Sequence, residues 1–188
     1  MSNPAEPARA STLSPGVRRA IWGLGVTQII GWGTTYYLLS LMGGQIARDL
    51  DLPKGVMLFG VSMTLVGAAL FGPWIGRWQD RRGAREVMTI GSLLVASGLF
   101  AISRSTDATL YFLGWSLISL ATPMALYSAA FTGLTQLAGS QARRAIIFLT
   151  FLGGLASSIA WPTTAWMLTF LDWRGVIAVF ALINLVIC

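Results

Sequence analysis

The residues best suited to chemistry in this sequence lie in one short segment, residues 76–86 (GRWQDRRGARE), which holds four arginines and two acidic residues. Charges of both signs at this spacing can form ion pairs, bind anionic groups or interact with a helix terminus. They do not supply a nucleophile and base or a metal site. We therefore expect the segment to act electrostatically. The simpler alternative is a short arginine-rich loop with no role beyond orienting the chain.

Enzymatic and metal sites are difficult to build from the remaining residues. The chain has no histidine, and its single cysteine is the last residue, Cys188. A catalytic zinc needs about three ligands from His, Cys, Asp or Glu, and a di-iron bundle needs carboxylates and histidines on facing helices. No nucleotide-binding motif is present that would serve an ATP-driven motor. We expect no metal, no cofactor and no enzymatic activity.

The composition predicts an all-α integral membrane protein. Hydrophobic residues make up 55% of the chain and charged residues only 11%, whereas a soluble domain has about 25% charged residues. Six apolar runs each approach the roughly 20 residues that a helix needs to cross about 30 Å of hydrocarbon, and such long runs favour helices over barrel strands. The six predicted transmembrane helices cover residues 20–43, 56–75, 87–102, 110–137, 145–170 and 173–188.

The distribution of basic residues predicts the orientation. Residues 1–19, with three prolines and no apolar run, are predicted to be a disordered cytoplasmic tail. With this tail inside, nine basic residues lie on the cytoplasmic side and four outside, which agrees with the positive-inside rule. The nine are Arg9, Arg18, Arg19, Arg77, Arg81, Arg82, Arg85, Arg143 and Arg144, and the four are Arg48, Lys54, Arg104 and Arg174. The net charge of +6 is then explained by topology and anionic lipid contact, and no nucleic-acid partner is expected.

The charged segment resembles the signature of the major facilitator superfamily, Gly-x-x-x-Asp-Arg-x-Gly-Arg-Lys/Arg, which in that family joins the second and third helices. The matching residues are Gly76, Asp80, Arg81, Gly83 and Arg85. Trp78 stands where the family often has leucine, and Ala84 replaces the first of two paired basic residues. The segment also occupies the matching place, between the second and third predicted spans.

The resemblance implies a role for each matching residue. Gly76 would allow close helix packing, and Gly83 would allow a tight turn. Asp80 would meet the N-terminus of a helix from the other half of the transporter and so act as a conformational gate, because a helix N-terminus favours an anion. Arg81 and Arg85 would pair with Asp80, with neighbouring acids or with lipid phosphate.

Other segments resemble the same family. The first span, with its Gly-Trp-Gly and paired tyrosines, is similar to the opening helix of bacterial monocarboxylate-type porters, which favours an organic anion as substrate. Two further segments look like the fifth helix of this family and the start of its sixth helix: LGGLASSIAWPTTAWM and LDWRGV. The fourth span has no arginine or carboxylate, so proton coupling through this half is not expected. Residues 20–188 are interpreted as the N-terminal six-helix domain, with a truncated sixth helix. The partner would be a missing C-terminal half or a second copy in a homodimer.

Polar side chains that share a helical face within the spans are candidates for a substrate cavity. Intramembrane polar groups need a partner or a watery path, although Ser and Thr can also bond to their own helix and small residues can serve packing alone. For Gln28, Tyr127 and Trp161, cavity lining is favoured, because they are large and central. The candidates are Gln28, Thr35, Tyr36, Ser119, Tyr127, Ser157 and Trp161.

The preferred function is secondary active transport of a small organic solute by alternating access, with the protein in the bacterial inner membrane and its N-terminus in the cytoplasm. The alternative is a non-transporting six-helix membrane protein, such as an assembly partner or a degenerate remnant. Transport requires a complementary half, and the remnant does not. The two interpretations therefore differ in whether a second half or second copy assembles with this chain.

Overall fold

The computed structural model describes residues 13–188, and within that range all regular structure is helical. The helices are α1 (Pro15–Thr35), α2 (Leu38–Asp49), α3 (Lys54–Arg82), α4 (Ala84–Ser103), α5 (Ala108–Ala125), α6 (Tyr127–Ala138), α7 (Ala142–Gly154), α8 (Ala156–Met167) and α9 (Trp173–Val186), with a 3-10 turn over Gly139–Gln141. The prediction of an all-α chain is confirmed for the described residues.

The first helix begins earlier than predicted. Residues 1–12 of the predicted tail lie outside the described residues. Pro15 occupies the first helical turn, where its missing amide costs nothing, and the Ser14 hydroxyl accepts a 3.3 Å hydrogen bond from the Val17 amide. The prediction of a disordered tail is therefore wrong for residues 15–19, which are helical.

Three of the predicted spans are each divided into two helices. The first is interrupted at Tyr36 and Tyr37, the fourth at Leu126 and the fifth at Leu155. The break at Leu126 has extended backbone angles and follows Pro123, as expected for a residue that lacks an amide donor. A proline inside an apolar span is expected to bend or break its helix, but Pro162 lies within a continuous α8.

Three stretches of the described chain are long and apolar enough to cross a membrane. They are Lys54–Arg82, Ala84–Ser103 and the composite Ala108–Met167, which contains α5 to α8. Trp173–Val186 is apolar but shorter, with 14 residues. The count of six crossings therefore remains a prediction, although the apolar helices themselves are those of a membrane protein.

Contacts between chain-distant residues define the two ends of the bundle. At one end, which we call the signature end, Gly83 joins α3 to α4, and the Ser14 amide donates a 3.1 Å hydrogen bond to the Gln141 side chain. At the opposite end, the Arg174 side chain donates to the Asp49 carboxylate and to the Ser105 carbonyl. The spans thus alternate in direction along the chain.

The interior has two main apolar clusters. Towards the opposite end, helices α2, α4, α5 and α9 bury large side chains such as Trp115, Tyr111 and Trp173. Towards the signature end, Leu134 of α6 and Leu149 of α7 pack against the first turns of α1. Between α4 and α5 the backbones approach so closely that a Cβ on Gly98 would lie 2.7 Å from the Gly114 carbonyl oxygen. Such close contacts hold α4 against α5.

Candidate functional site

The signature segment is mostly helical, which corrects its interpretation as a loop. Helix α3 continues through Asp80 to Arg82, and α4 begins at Ala84. Gly83 is the whole connection. Its φ of 84° and ψ of 155° lie in a region that only glycine occupies without strain. The prediction of a glycine-dependent tight turn at Gly83 is in agreement with this geometry.

The charged residues of this segment are exposed and differ in their pairing from the prediction. Arg82 forms a 3.5 Å ion pair with Glu86, one turn further along the chain. Within residues 13–188, neither Asp80 nor the two signature arginines, Arg81 and Arg85, forms a hydrogen bond or an ion pair with another side chain. The predicted pairing of Arg81 and Arg85 with nearby acids is not seen within the described residues, and their contact with lipid phosphate remains a prediction. Asp80 is open to a partner outside the described chain.

Gly76 does not serve close packing, contrary to the prediction. A Cβ added at Gly76 would meet no atom within 4 Å, and the same holds for Gly72 one turn earlier. Both glycines instead line a cavity of about 400 Å³ between α1, α3 and the α5–α6 break. Their lack of side chains therefore widens this cavity.

The departure from the family pattern at Ala84 has a packing explanation. Ala84 is 5% exposed and packs against α6. A Cβ on Gly133 would lie only 2.9 Å from the Ala84 Cβ. The small side chain at position 84 is therefore in keeping with the close approach of α4 and α6.

The cavity at the α5–α6 break is the strongest candidate for a binding site. Its volume is within the range of roughly 300–1,000 Å³ that is typical of small-molecule sites. It lies where the fourth span is discontinuous, and polar groups at such breaks are a common way to bind solutes within a membrane. The lining residues are Trp32, Ala68, Gly72, Gly76, Gln79, Thr122, Pro123, Leu126, Tyr127, Ser128 and Thr132.

Aromatic rings form one wall of this cavity. The Tyr127 ring lies between Trp32 and Phe131, with centroid distances of 5.3 Å and 5.0 Å. Trp32 is in turn 4.7 Å from the Tyr36 ring. The Tyr127 hydroxyl lies so close to Gly153 that α7 could not carry a Cβ at that position. The predicted cavity residue Tyr127 is thus held by packing from three helices.

Two buried nitrogen atoms on the cavity wall have no hydrogen-bond partner in the described chain. They are Nε2 of Gln79, whose residue is 2% exposed, and Nε1 of Trp32. Buried polar groups in proteins are nearly always satisfied, so an exception needs an explanation such as a bound solute or water. Nearby hydroxyl groups, in contrast, do have hydrogen-bond partners. Those of Ser128 and Thr132 donate to main-chain carbonyls at 3.0 Å and 2.9 Å.

Gln28 is fully buried and connects the first span to the break in the fourth. Its Nε2 donates a 3.1 Å hydrogen bond to the Ala125 carbonyl, immediately before Leu126. Its Oε1 has no partner among the described residues. Gln28 therefore stabilises the helix end at the break, and it does not line the cavity described above.

Other predicted cavity residues lie in helix contacts. The Thr35 hydroxyl bonds to the Gly31 carbonyl of its own helix at 2.6 Å. The Ser119 hydroxyl donates across the helix interface to the Met63 carbonyl of α3. The Tyr36 hydroxyl is 3.2 Å from that of Thr64, also on α3. These arrangements match the packing alternative more closely than direct cavity lining.

The two predicted residues on α8 lie apart from this cavity. Ser157 is half-buried and Trp161 is 47% exposed, and neither lines the cavity. Their proposed contact with a substrate remains a prediction. Sequence reasoning missed Trp32 and Gln79, which the structure brings to the cavity. Gln79 could not be identified from the sequence, because it lies inside the charged segment, where a polar residue does not indicate a cavity.

Similarity to known proteins is found at the level of the family. A sequence profile described as Major Facilitator Superfamily matches residues 21–188, which include every described helix except the first turns of α1. No curated protein and no solved structure matches the chain.

Proposed function

We propose, from the premise that this chain belongs to the Major Facilitator Superfamily, that it is a secondary active transporter, or the N-terminal half of one, for a small organic solute. The observation that carries this proposal is the cavity at the broken fourth span. There, Leu126 interrupts the helix beside Tyr127 and two buried nitrogen atoms without partners. Discontinuous helices next to a polar cavity are a recurring feature of solute sites in secondary transporters.

The proposed topology has six crossings. The first is formed by α1 and α2, the fourth by α5 and α6, and the fifth by α7 and α8, while α3, α4 and α9 form the other three. The signature end faces the cytoplasm of a bacterial cell in this proposal, because basic residues are concentrated there. Exposed apolar side chains such as Phe100 and Leu70 would contact the lipid bilayer.

A complementary half is part of the proposal. The face formed by α7 and α8 exposes Phe151 and Trp166 at 74% and 66%, and the cavity is open rather than enclosed by this half. A second copy, or a C-terminal half, would cover this face and complete the transport path. Alternating access would then consist of the two halves rocking about the bound solute.

Asp80 is proposed to bias the access states. It is exposed at the end of α3 and has no partner within residues 13–188. A helix N-terminus from the complementary half would supply one in the state closed to the cytoplasm. Breaking that contact would accompany opening.

The experiment is uptake into proteoliposomes that contain the purified full chain. A panel of radiolabelled small organic solutes is offered outside, with and without a proton or sodium gradient, and protein-free liposomes serve as the blank. The proposal expects saturable uptake of at least one class of solute. A chain that inserts correctly and transports no member of a chemically diverse panel would instead fit the non-transporting alternative.

A further inference from the structure

We infer that the cavity at the α5–α6 break selects an uncharged polar solute, held by the side-chain amide of Gln79 and the indole N–H of Trp32. This names a substrate class for the transporter proposed above, on which it rests. Three features of the cavity support this solute class. Polar groups on its wall are unpaired, its serine and threonine hydroxyls already donate to main-chain carbonyls, and its described lining has no charged residue.

The Gln79 side chain is the first observation. The residue is 2% exposed, its Nε2 is shielded from solvent without a partner, and its main-chain carbonyl is 3.5 Å from the Gln136 amide. No other part of the described chain uses the side-chain amide. A buried primary amide offers both a donor and an acceptor, and leaving it unpaired is unfavourable. A solute with a carbonyl or hydroxyl group would satisfy it.

Trp32 supplies a second donor, on the aromatic wall of the cavity. Its Nε1 is buried and has no partner in the described residues. Its ring packs 5.3 Å from that of Tyr127, so the N–H lies at the edge of an aromatic surface. This combination of flat apolar surface and fixed N–H donor suits a small solute with an apolar part next to a hydrogen-bond acceptor.

Three serine and threonine hydroxyls around the cavity present oxygen lone pairs. Thr122 donates to the Ile118 carbonyl at 2.8 Å, Ser128 donates to the Pro123 carbonyl, and Thr132 donates to the Ser128 carbonyl. With their hydrogens used in this way, these groups can act on a solute only as acceptors. They would attract an N–H or O–H donor and repel an anionic oxygen.

The part of the cavity that this chain forms also lacks a compensating charge. None of the eleven described residues that line it is Lys, Arg, Asp or Glu. Placing an ionised group in a low-dielectric site without an opposite charge is strongly unfavourable. The porter-like first helix favours an organic anion, but the chemistry of this cavity favours a neutral solute that carries both acceptors and donors.

The test uses benzamide and benzoate, which share a ring and differ in charge. The purified full chain in detergent micelles is titrated with each, and binding is followed by intrinsic tryptophan fluorescence and by the shift in thermal unfolding. We expect saturable benzamide binding in the millimolar range, and benzoate binding that is weaker by roughly tenfold or more. In Gln79→Met, which keeps the length but removes the amide, benzamide binding should weaken by roughly tenfold.

The matched control is Gln45→Met, which makes the same substitution at a half-buried glutamine on α2 that lies outside the cavity wall. It should retain benzamide binding. Trp32→Phe, which keeps an aromatic ring but loses the N–H, provides a second variant if Gln79→Met is not monodisperse. It too should weaken benzamide binding.

Three results would overturn the inference: benzoate binding as tightly as benzamide, no saturable benzamide binding, or unchanged benzamide binding in both Gln79→Met and Trp32→Phe. The uptake assay separates this inference from the proposed function. If benzamide binds selectively and depends on Gln79, but no solute is taken up, the inferred solute site is supported and the proposed transport function is contradicted. If uptake prefers anions and is unchanged in Gln79→Met, the proposed transport function is supported and the inferred solute site is contradicted.

Discussion

Asp49 and Arg174, which lie 125 positions apart in sequence, form a 2.8 Å ion pair at the end of the bundle opposite the signature. The same carboxylate oxygen accepts a 2.8 Å hydrogen bond from the Trp173 indole, and Arg174 also donates to the Ser105 carbonyl at 3.0 Å. The guanidinium lies 4.1 Å from the Trp173 ring centroid. This cluster connects the end of α2, the α4–α5 turn and the start of α9.

The cluster predicts a stability loss in acid. The Trp173 hydrogen bond first, and the Arg174 guanidinium second, lower the pKa of Asp49 below its ordinary value of 3.8. A lowered folded-state pKa means that this contribution is fully present above about pH 4 and is lost as the pH falls through the folded-state pKa. The thermal midpoint of Asp49→Asn should be lower than that of the wild type at pH 7, by about 2–4 °C. The difference should stay constant down to about pH 4 and shrink as the pH falls from there towards about pH 2 on that same linkage. A difference that stays constant down to about pH 2 would contradict the role of the ionised carboxylate.

Two glycines of α3 should respond oppositely to alanine. At Gly67, a new Cβ would lie 2.7 Å from the Ser119 carbonyl oxygen, whereas at Gly72 it would meet nothing within 4 Å. Gly67→Ala should destabilise the α3–α5 contact by about 1–3 kcal/mol, and Gly72→Ala should be neutral or stabilising by up to about 1 kcal/mol. Thermal unfolding in detergent measures both. Equal effects would show that α3 and α5 pack differently from this structure.

Asp80→Asn should alter conformational bias without altering stability. The side chain is exposed and has no partner within the described residues, so the thermal midpoint should stay unchanged. Loss of an anion at a helix N-terminus should shift the access equilibrium by roughly two- to fivefold. The shift is measured in membranes as the maleimide labelling rate of Ser128→Cys, in a Cys188→Ser background. Equal labelling rates with and without the Asp80→Asn substitution would remove the gate role.

Tyr127→Phe should separate packing from solute contact. The ring contacts with Trp32 and Phe131 do not need the hydroxyl, so stability should change by less than about 1 kcal/mol. Tyr127→Ala should lose the packing as well and cost about 3–5 kcal/mol. If the hydroxyl contacts the solute, uptake should fall in Tyr127→Phe despite normal folding. Normal uptake by Tyr127→Phe would show that this residue acts only through its ring.

Local sequence patterns predicted the helices and the signature turn because both depend on nearby residues. Apolar runs of membrane-spanning length give helices, and a glycine flanked by helix-forming residues gives a turn, as at Gly83. The number of residues in the connection between α3 and α4 could not be predicted in this way. Arginine and aspartate are compatible with a loop and also with a helix that extends beyond the membrane. Their charge alone therefore could not show that these residues form the last turns of α3.

The candidate site could be predicted only in part because it depends on contacts between distant segments. Pro123 marked the fourth span as a place for a disturbance, and Tyr127 was identified from its size and central position. The pairing of Gln28 with Ala125, or of Ser119 with Met63, depends on how the helices are rotated against each other. No periodic pattern within one span fixes that rotation. Trp32 could not be identified for the same reason.

The most direct test of the central claim is uptake of a radiolabelled solute panel into proteoliposomes, comparing the wild type with Tyr127→Phe and with protein-free vesicles. A transporter built around the α5–α6 cavity predicts saturable wild-type uptake above the vesicle blank, and a reduction in the variant would show in addition that the Tyr127 hydroxyl contacts the solute. Wild-type vesicles that take up no more solute than protein-free vesicles, for every member of the panel and with either ion gradient, would contradict it.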